Sequence, residues 1–235
     1  MSKFDFLQQQ LTDYQNLQSH QDQTLASKLL QVQIWQKARM QHTHADFFAI
    51  PEHQPMAHYF LNRLYGADDF NELARQIDRF IRNSHTVEKI IPKSALQTGD
   101  AGVELAILAI QLDEQVAKYL LENYPTDTPL DDEMMRRAYL AVDQYAPRLH
   151  QMELLELLGT KLDKYVRSTM VKTAFKLSKG IAYRYEANTI YDFIDDGFKA
   201  MAPLGSAQDF IATFTTKEKQ IIDAVHSGHA TPFQL

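Results

Sequence analysis

The sequence predicts an all-α fold, a bundle of about eight to ten helices with no sheet. Three observations carry this. Apolar residues recur at steps of three and four through nearly the whole chain. No run alternates β-branched and polar residues in the manner of a half-buried strand. Glycine and proline number eight each in 235 residues, below the roughly 12% of average usage and too few for the turns of a many-stranded sandwich or barrel. Apolar residues at 45% and charged residues at 23% exclude wholesale disorder.

Taken in order, Phe4, Leu7, Leu11, Tyr14 and Leu17 place one apolar seam on a first helix. Asp22 opens a second, carrying Leu25, Leu29, Val32 and Trp35. Residues 41–55 read as irregular and hold His42, His44 and His53, with His58 just beyond. Pro55 suits the first turn of the next helix and Gly66 its end. Asp68 or Asp69 can cap a helix holding Phe70, Leu73, Ile77, Phe80 and Ile81, and Pro92 ends a short helical piece. After Asp100, the run from Val103 to Leu121 is apolar nearly all round, which marks the central, most buried helix. Residues 125–129 form the clearest connection, where a single helical domain spanning 1–235 would divide if it had two lobes. Asp131 caps a helix reaching about Tyr145, and Pro147 allows a restart. A long amphipathic stretch over about 160–185 follows, then helices near 188–202 and 206–226 and an extended tail.

The absence of cysteine excludes disulfides, thiolate nucleophiles and Cys-ligated metals. No glutamate has a histidine three residues later, and His-Glu-x-x-His is missing, so no metal site is expected. Neither phosphate-cradling glycine loop occurs, and no Gly-x-Ser-x-Gly elbow exists for a serine hydrolase. The acidic pairs at 68–69 and 131–133 suit helix starts, and of Asp195 and Asp196 only one can face inward. No catalytic residue and no cofactor are therefore predicted. No apolar run reaches the ~20 residues of a membrane span, and the first residues lack the pattern of a signal peptide. The expectation is a cytoplasmic protein of bacterial style.

One charge feature stands out. Residues 160–184 carry seven Lys or Arg against Asp163 alone, a net +6 that leaves −12 on the rest of the chain. On a continuous helical wheel Leu162, Val166, Met170, Ala174, Leu177 and Ile181 share one face. Lys161, Lys164, Lys172, Lys176 and Lys179 gather on the opposite face with Tyr165, Phe175 and Tyr183. Such a face suits a protein or other anionic partner, with nucleic acid the less favoured occupant at a net charge of −6. The competing prediction is a small-molecule or catalytic pocket beside residues 41–55, lined by Trp35, Arg39, His44, Asp46 and Tyr65.

The run Pro55-Met56-Ala57-His58-Tyr59-Phe60-Leu61-Asn62-Arg63-Leu64-Tyr65-Gly66-Ala67-Asp68-Asp69-Phe70 resembles the proteobacterial family named for a Phe-Phe-Leu-Glu-Glu-Leu-Tyr motif. Trp35, Arg39, Thr43, Asp46 and Gly197-Phe198 extend the resemblance over most of the chain. It implies an all-helical cytosolic fold and brings no activity with it. This chain departs from the motif at Tyr59, Asn62 and Arg63, so both motif glutamates are missing. On an α-helical wheel, Phe60, Leu61, Leu64 and Tyr65 fall on an apolar arc and the three altered positions on a polar one. The motif thus reads as a core helix.

Overall fold

The computed structural model describes residues 4–65, 70–82 and 93–235, and among them finds eleven α-helices and no strand. They are α1 (Asp5–Gln15), α2 (Gln23–Thr43), α3 (Ala45–Ala49), α4 (Gln54–Tyr59), α5 (Phe70–Arg82), α6 (Lys93–Asn123), α7 (Asp132–Ala141), α8 (Tyr145–Arg167), α9 (Thr169–Arg184), α10 (Asn188–Met201) and α11 (Ala207–His226). The all-α bundle expected from periodicity is present. The stops and caps assigned to Gly66, Asp68, Asp69 and Pro92 lie outside the described residues, as does the side chain of the seam position Phe80.

Two caps follow from sequence chemistry. The Asp22 carboxylate accepts from the N–H groups of Thr24 and Leu25, and that of Asp131 from Met134. Each satisfies donors that the first helical turn leaves unpaired. Helix α6, at 31 residues, is about 46 Å long and passes through three apolar clusters. Ala101 and Leu105 join Phe60, Leu155, Phe210 and Phe214. Ile107 joins Leu7, Leu11 and Tyr14. Val116 and Leu120 join Val32, Met135, Ile221 and Phe233. Helix α6, before the 125–129 connection, packs against α7 and α8, which follow it. The most extensive pairing is α8 with α11. It closes at Gly159, where an added Cβ would lie 2.9 Å from a side-chain methyl of Ile211.

Four expectations need correction. The 41–55 segment is mostly helical, because α2 runs to Thr43 and α3 and α4 follow closely. The motif helix is not α-helical to its end: Phe60–Leu64 form a π-turn, closed by the Tyr65 N–H donating to the Phe60 carbonyl at 3.0 Å. Its wheel also fails at Tyr59. That residue is 7% exposed and packs on Gly197 of α10, with its hydroxyl donating to the Phe193 carbonyl at 3.0 Å. Helix α4 therefore has protein on two sides, and a single polar arc does not describe it. Finally, the tail folds back as a 3-10 turn, burying Phe233 against Trp35 and Tyr139.

Candidate functional site

The bundle buries a polar cluster that its sequence spreads over six elements. Helix α2 turns Leu25, Leu29, Val32, Gln36 and Met40 inward, and Arg39 leans from the edge of that stripe with its side chain 8% exposed. Helix α11 turns Phe214, Ile221 and Ile222 inward and carries Glu218 on the same face. Arg39 Nη1 donates to Glu218 Oε1 at 2.5 Å, and Arg39 Nε and Nη2 donate to Gln36 Oε1 at 3.3 and 3.1 Å. His44 Nε2 lies 2.7 Å from that same Glu218 oxygen, its ring stacked on Phe214. Burial by itself would raise the Glu218 carboxyl, but the Arg39 guanidinium and the His44 contact outweigh it and hold it at about 2.

The second half of the cluster centres on Asp113 of α6, which is 1% exposed. The π-turn ends α4 so that Tyr65 donates its hydroxyl to Asp113 Oδ2. Arg148 of α8 brings Nη2 to 3.6 Å from Asp113 Oδ1 and lays its guanidinium 4.1 Å over the Tyr139 ring. Burial pushes the Asp113 carboxyl up, opposed by Arg148. Burial also pushes Tyr139 to about 12 and, aided by Asp113, Tyr65 well above its usual value, so both phenols remain protonated at neutral pH. Gln144 donates to the Leu112 carbonyl and to Gln115, each at 2.9 Å. Arg39, Tyr65, Tyr139, Arg148 and Glu218 line a cleft of about 70 Å³ together with Phe60 and other apolar side chains. Arg148 Nε, Arg148 Nη2 and Tyr139 Oη are buried with no hydrogen-bond partner among the described residues.

Of the five residues predicted for a pocket, the structure brings Arg39, His44 and Tyr65 to this cluster. Trp35 turns aside, its ring 5.0 Å from Phe233, and Asp46 is exposed and lines, with His42, His44, Thr213 and Lys217, a separate open cavity of about 570 Å³. Glu218, Asp113, Tyr139 and Arg148 were not anticipated. A signal for the first two existed in the sequence, since each is an acid at an inward position of an apolar helix seam. Among the described residues no three His, Asp or Glu converge as metal ligands. Asp195 and Asp196 pair with Lys199 at 2.7 and 3.5 Å.

The basic stretch is arranged differently from the continuous wheel. Ser168 is extended (φ −82°, ψ 109°) and ends α8, and its hydroxyl accepts from Val171 to start α9. Because the chain breaks there, residues 160–184 are not one helix face. Lys164, Lys172, Lys176 and Lys179 are exposed, while Lys161 and Tyr165 are half-buried. Phe175 does not join the lysines outward; it stacks on Tyr191 of α10 at 4.3 Å. Val171, Phe175, Ser178 and Ala182 form the less exposed side of α9. Leu162 and Val166, on α8, pack half-buried against the core, but the α9 part of the apolar row is open, with Met170 79%, Leu177 77% and Ile181 63% exposed. At about 100° per residue, this row and the row of Lys172, Lys176 and Lys179 lie roughly a quarter-turn to either side of the inward line. Helix α9 contributes no buried residue.

An all-helical chain with a buried charge cluster and one helix laid open on its surface is the class these features define. Its sequence matches a family model over residues 15–232, and the chain belongs to that family, described as Domain of unknown function (DUF8198). No curated protein and no solved structure matches it. Among the described residues no helix is long and apolar enough to cross a membrane.

Proposed function

We propose that this is a non-enzymatic interaction protein that docks an acidic protein partner along α9. The observation that carries the reading is the exposure of Met170, Leu177 and Ile181 on a helix that buries nothing of its own. Large aliphatic side chains open to water in a row mark contact surfaces. The lysine row on the other flank adds the charge preference, because complementary charge steers encounter and rejects wrong partners. A protein suits α9 better than nucleic acid does. Aliphatic side chains offer bases no stacking platform, and the remainder of the chain carries −12.

A photo-crosslinking residue at position 177, used in cells, tests this by capturing whatever covers α9. The expected adduct is an acidic protein. With that partner purified, Lys172→Glu with Lys176→Glu should weaken binding at least tenfold, and added salt should weaken it in the wild type. Leu177→Ser should weaken it while costing less than about 0.5 kcal/mol of stability, as exposed substitutions do. Adducts only to nucleic acid or to a second copy of this chain would overturn the reading. So would an affinity indifferent to all three substitutions.

A further inference from the structure

The cleft among α2, α7, α8 and α11 holds donors that the fold itself leaves unused. Arg148 is 8% exposed and Tyr139 5%, and both line the cleft. Nε and Nη2 form one edge of the guanidinium, and neither has a hydrogen-bond partner among the described residues. A buried charged donor left unpaired costs several kcal/mol in general, so a fold that keeps one usually has an occupant for it. That edge presents two parallel N–H groups at the spacing of the two oxygens of a carboxylate. The Tyr139 hydroxyl is the third unused donor.

Other charges around the cleft are already engaged. Arg39 and Glu218 satisfy each other, with Gln36 and His44 completing the pair. Asp113 spends Oδ2 on Tyr65 and holds Nη2 of Arg148 only at 3.6 Å. One positive edge and one hydroxyl suit a monoanion better than a phosphate dianion. Met152, Leu155, Phe214 and Ile222 line the rest of the cleft, a surface for a hydrocarbon chain. About 70 Å³ is several times the ~10–15 Å³ that a single water needs. We propose that this cleft binds a small carboxylic acid with a short aliphatic chain, its carboxylate on the Arg148 edge and Tyr139 and its chain on the apolar wall.

Calorimetric titration with sodium butyrate tests the assignment, with 1-butanol and inorganic phosphate as parallel probes. Saturable one-to-one binding of butyrate is expected, with butanol and phosphate at least tenfold weaker. Arg148→Met should weaken butyrate at least tenfold. Arg148→Lys keeps the charge but loses the two-pronged edge, and should also weaken it. Tyr139→Phe retains the ring beneath the guanidinium and should weaken butyrate severalfold with the far-ultraviolet circular dichroism unchanged, which guards against an Arg148 variant that fails to fold. Absence of saturable butyrate binding would overturn the proposal. Butanol binding as tightly as butyrate would reduce the cleft to an apolar cavity and also overturn it, as would phosphate binding in butyrate's place. Full butyrate affinity in Tyr139→Phe together with either folded Arg148 variant would do the same.

Discussion

Glu218 receives Arg39 and His44 on one oxygen at 2.5 and 2.7 Å, with its side chain 7% exposed. Removing one member of such a pair strands the other charge out of water, so Glu218→Leu should cost about 3–5 kcal/mol in a denaturant melt. Glu133→Ala, which opens the exposed pairs with Arg136 and Arg137, should barely move the midpoint. The Glu218 carboxyl, held at about 2 in the fold, sits below its ordinary value, so its contribution is present above about pH 4.5 and is lost as pH falls towards 2. Asp113, raised by burial, works in the opposite sense. The measurement is therefore the difference between wild type and Glu218→Gln, and the gap between their melting temperatures should narrow below pH 4.5. A gap independent of pH would mean that folding leaves the Glu218 carboxyl at its ordinary value, and a gap that widens below pH 4.5 would mean that burial has raised it. At this scale the sequence disclosed little. Arg39 and His44 stood out as candidates, but their partner lies 179 and 174 residues away, beyond the reach of any local pattern.

At the scale of elements, α8 and α11 meet at a glycine. The Cβ of an alanine at 159 would fall 2.9 Å from one Ile211 methyl carbon and 3.1 Å from its Cβ. Gly159→Ala gains helix propensity, yet the helices must separate to admit it, and overpacking of this kind costs about 1–3 kcal/mol. Ile211→Val removes the terminal methyl carbon that lies nearest, so the cost of Gly159→Ala measured by urea melts should shrink in that background. An equal cost in both backgrounds would place the strain elsewhere. Helix positions were legible because amphipathic period is local information. Asp22 and Asp131 cap where their chemistry predicted. Two phase changes were not legible from spacing. The π-turn at Phe60–Leu64 and the break at Ser168 both lie inside runs whose apolar spacing continues unaltered. At Ser168 the apolar row stays in step while the protein turns a different side of α9 inward. Serine within a lysine-rich helical run was the available clue, since its hydroxyl caps the new helix.

For the whole molecule, three apolar clusters share α6, and α11 joins two of them. A chain ending at residue 203 would lack α11 and expose the inward faces of α7 and α8 that pack against it. Such a fragment should keep helical circular dichroism but lose its cooperative thermal transition, the behaviour of a molecule whose secondary structure outlasts its packing. The Arg39–Glu218 pair also sets an order in time. At about 5–20 residues per second on the ribosome, the 179 residues between them take roughly 10–35 s to make. Throughout that interval Glu218 is absent, and docking α2 in its final place would leave the Arg39 guanidinium with Gln36 and the field of Asp113 but without its closest carboxylate. The cluster around Arg39 is therefore complete only once α11 has docked and brought Glu218 to it.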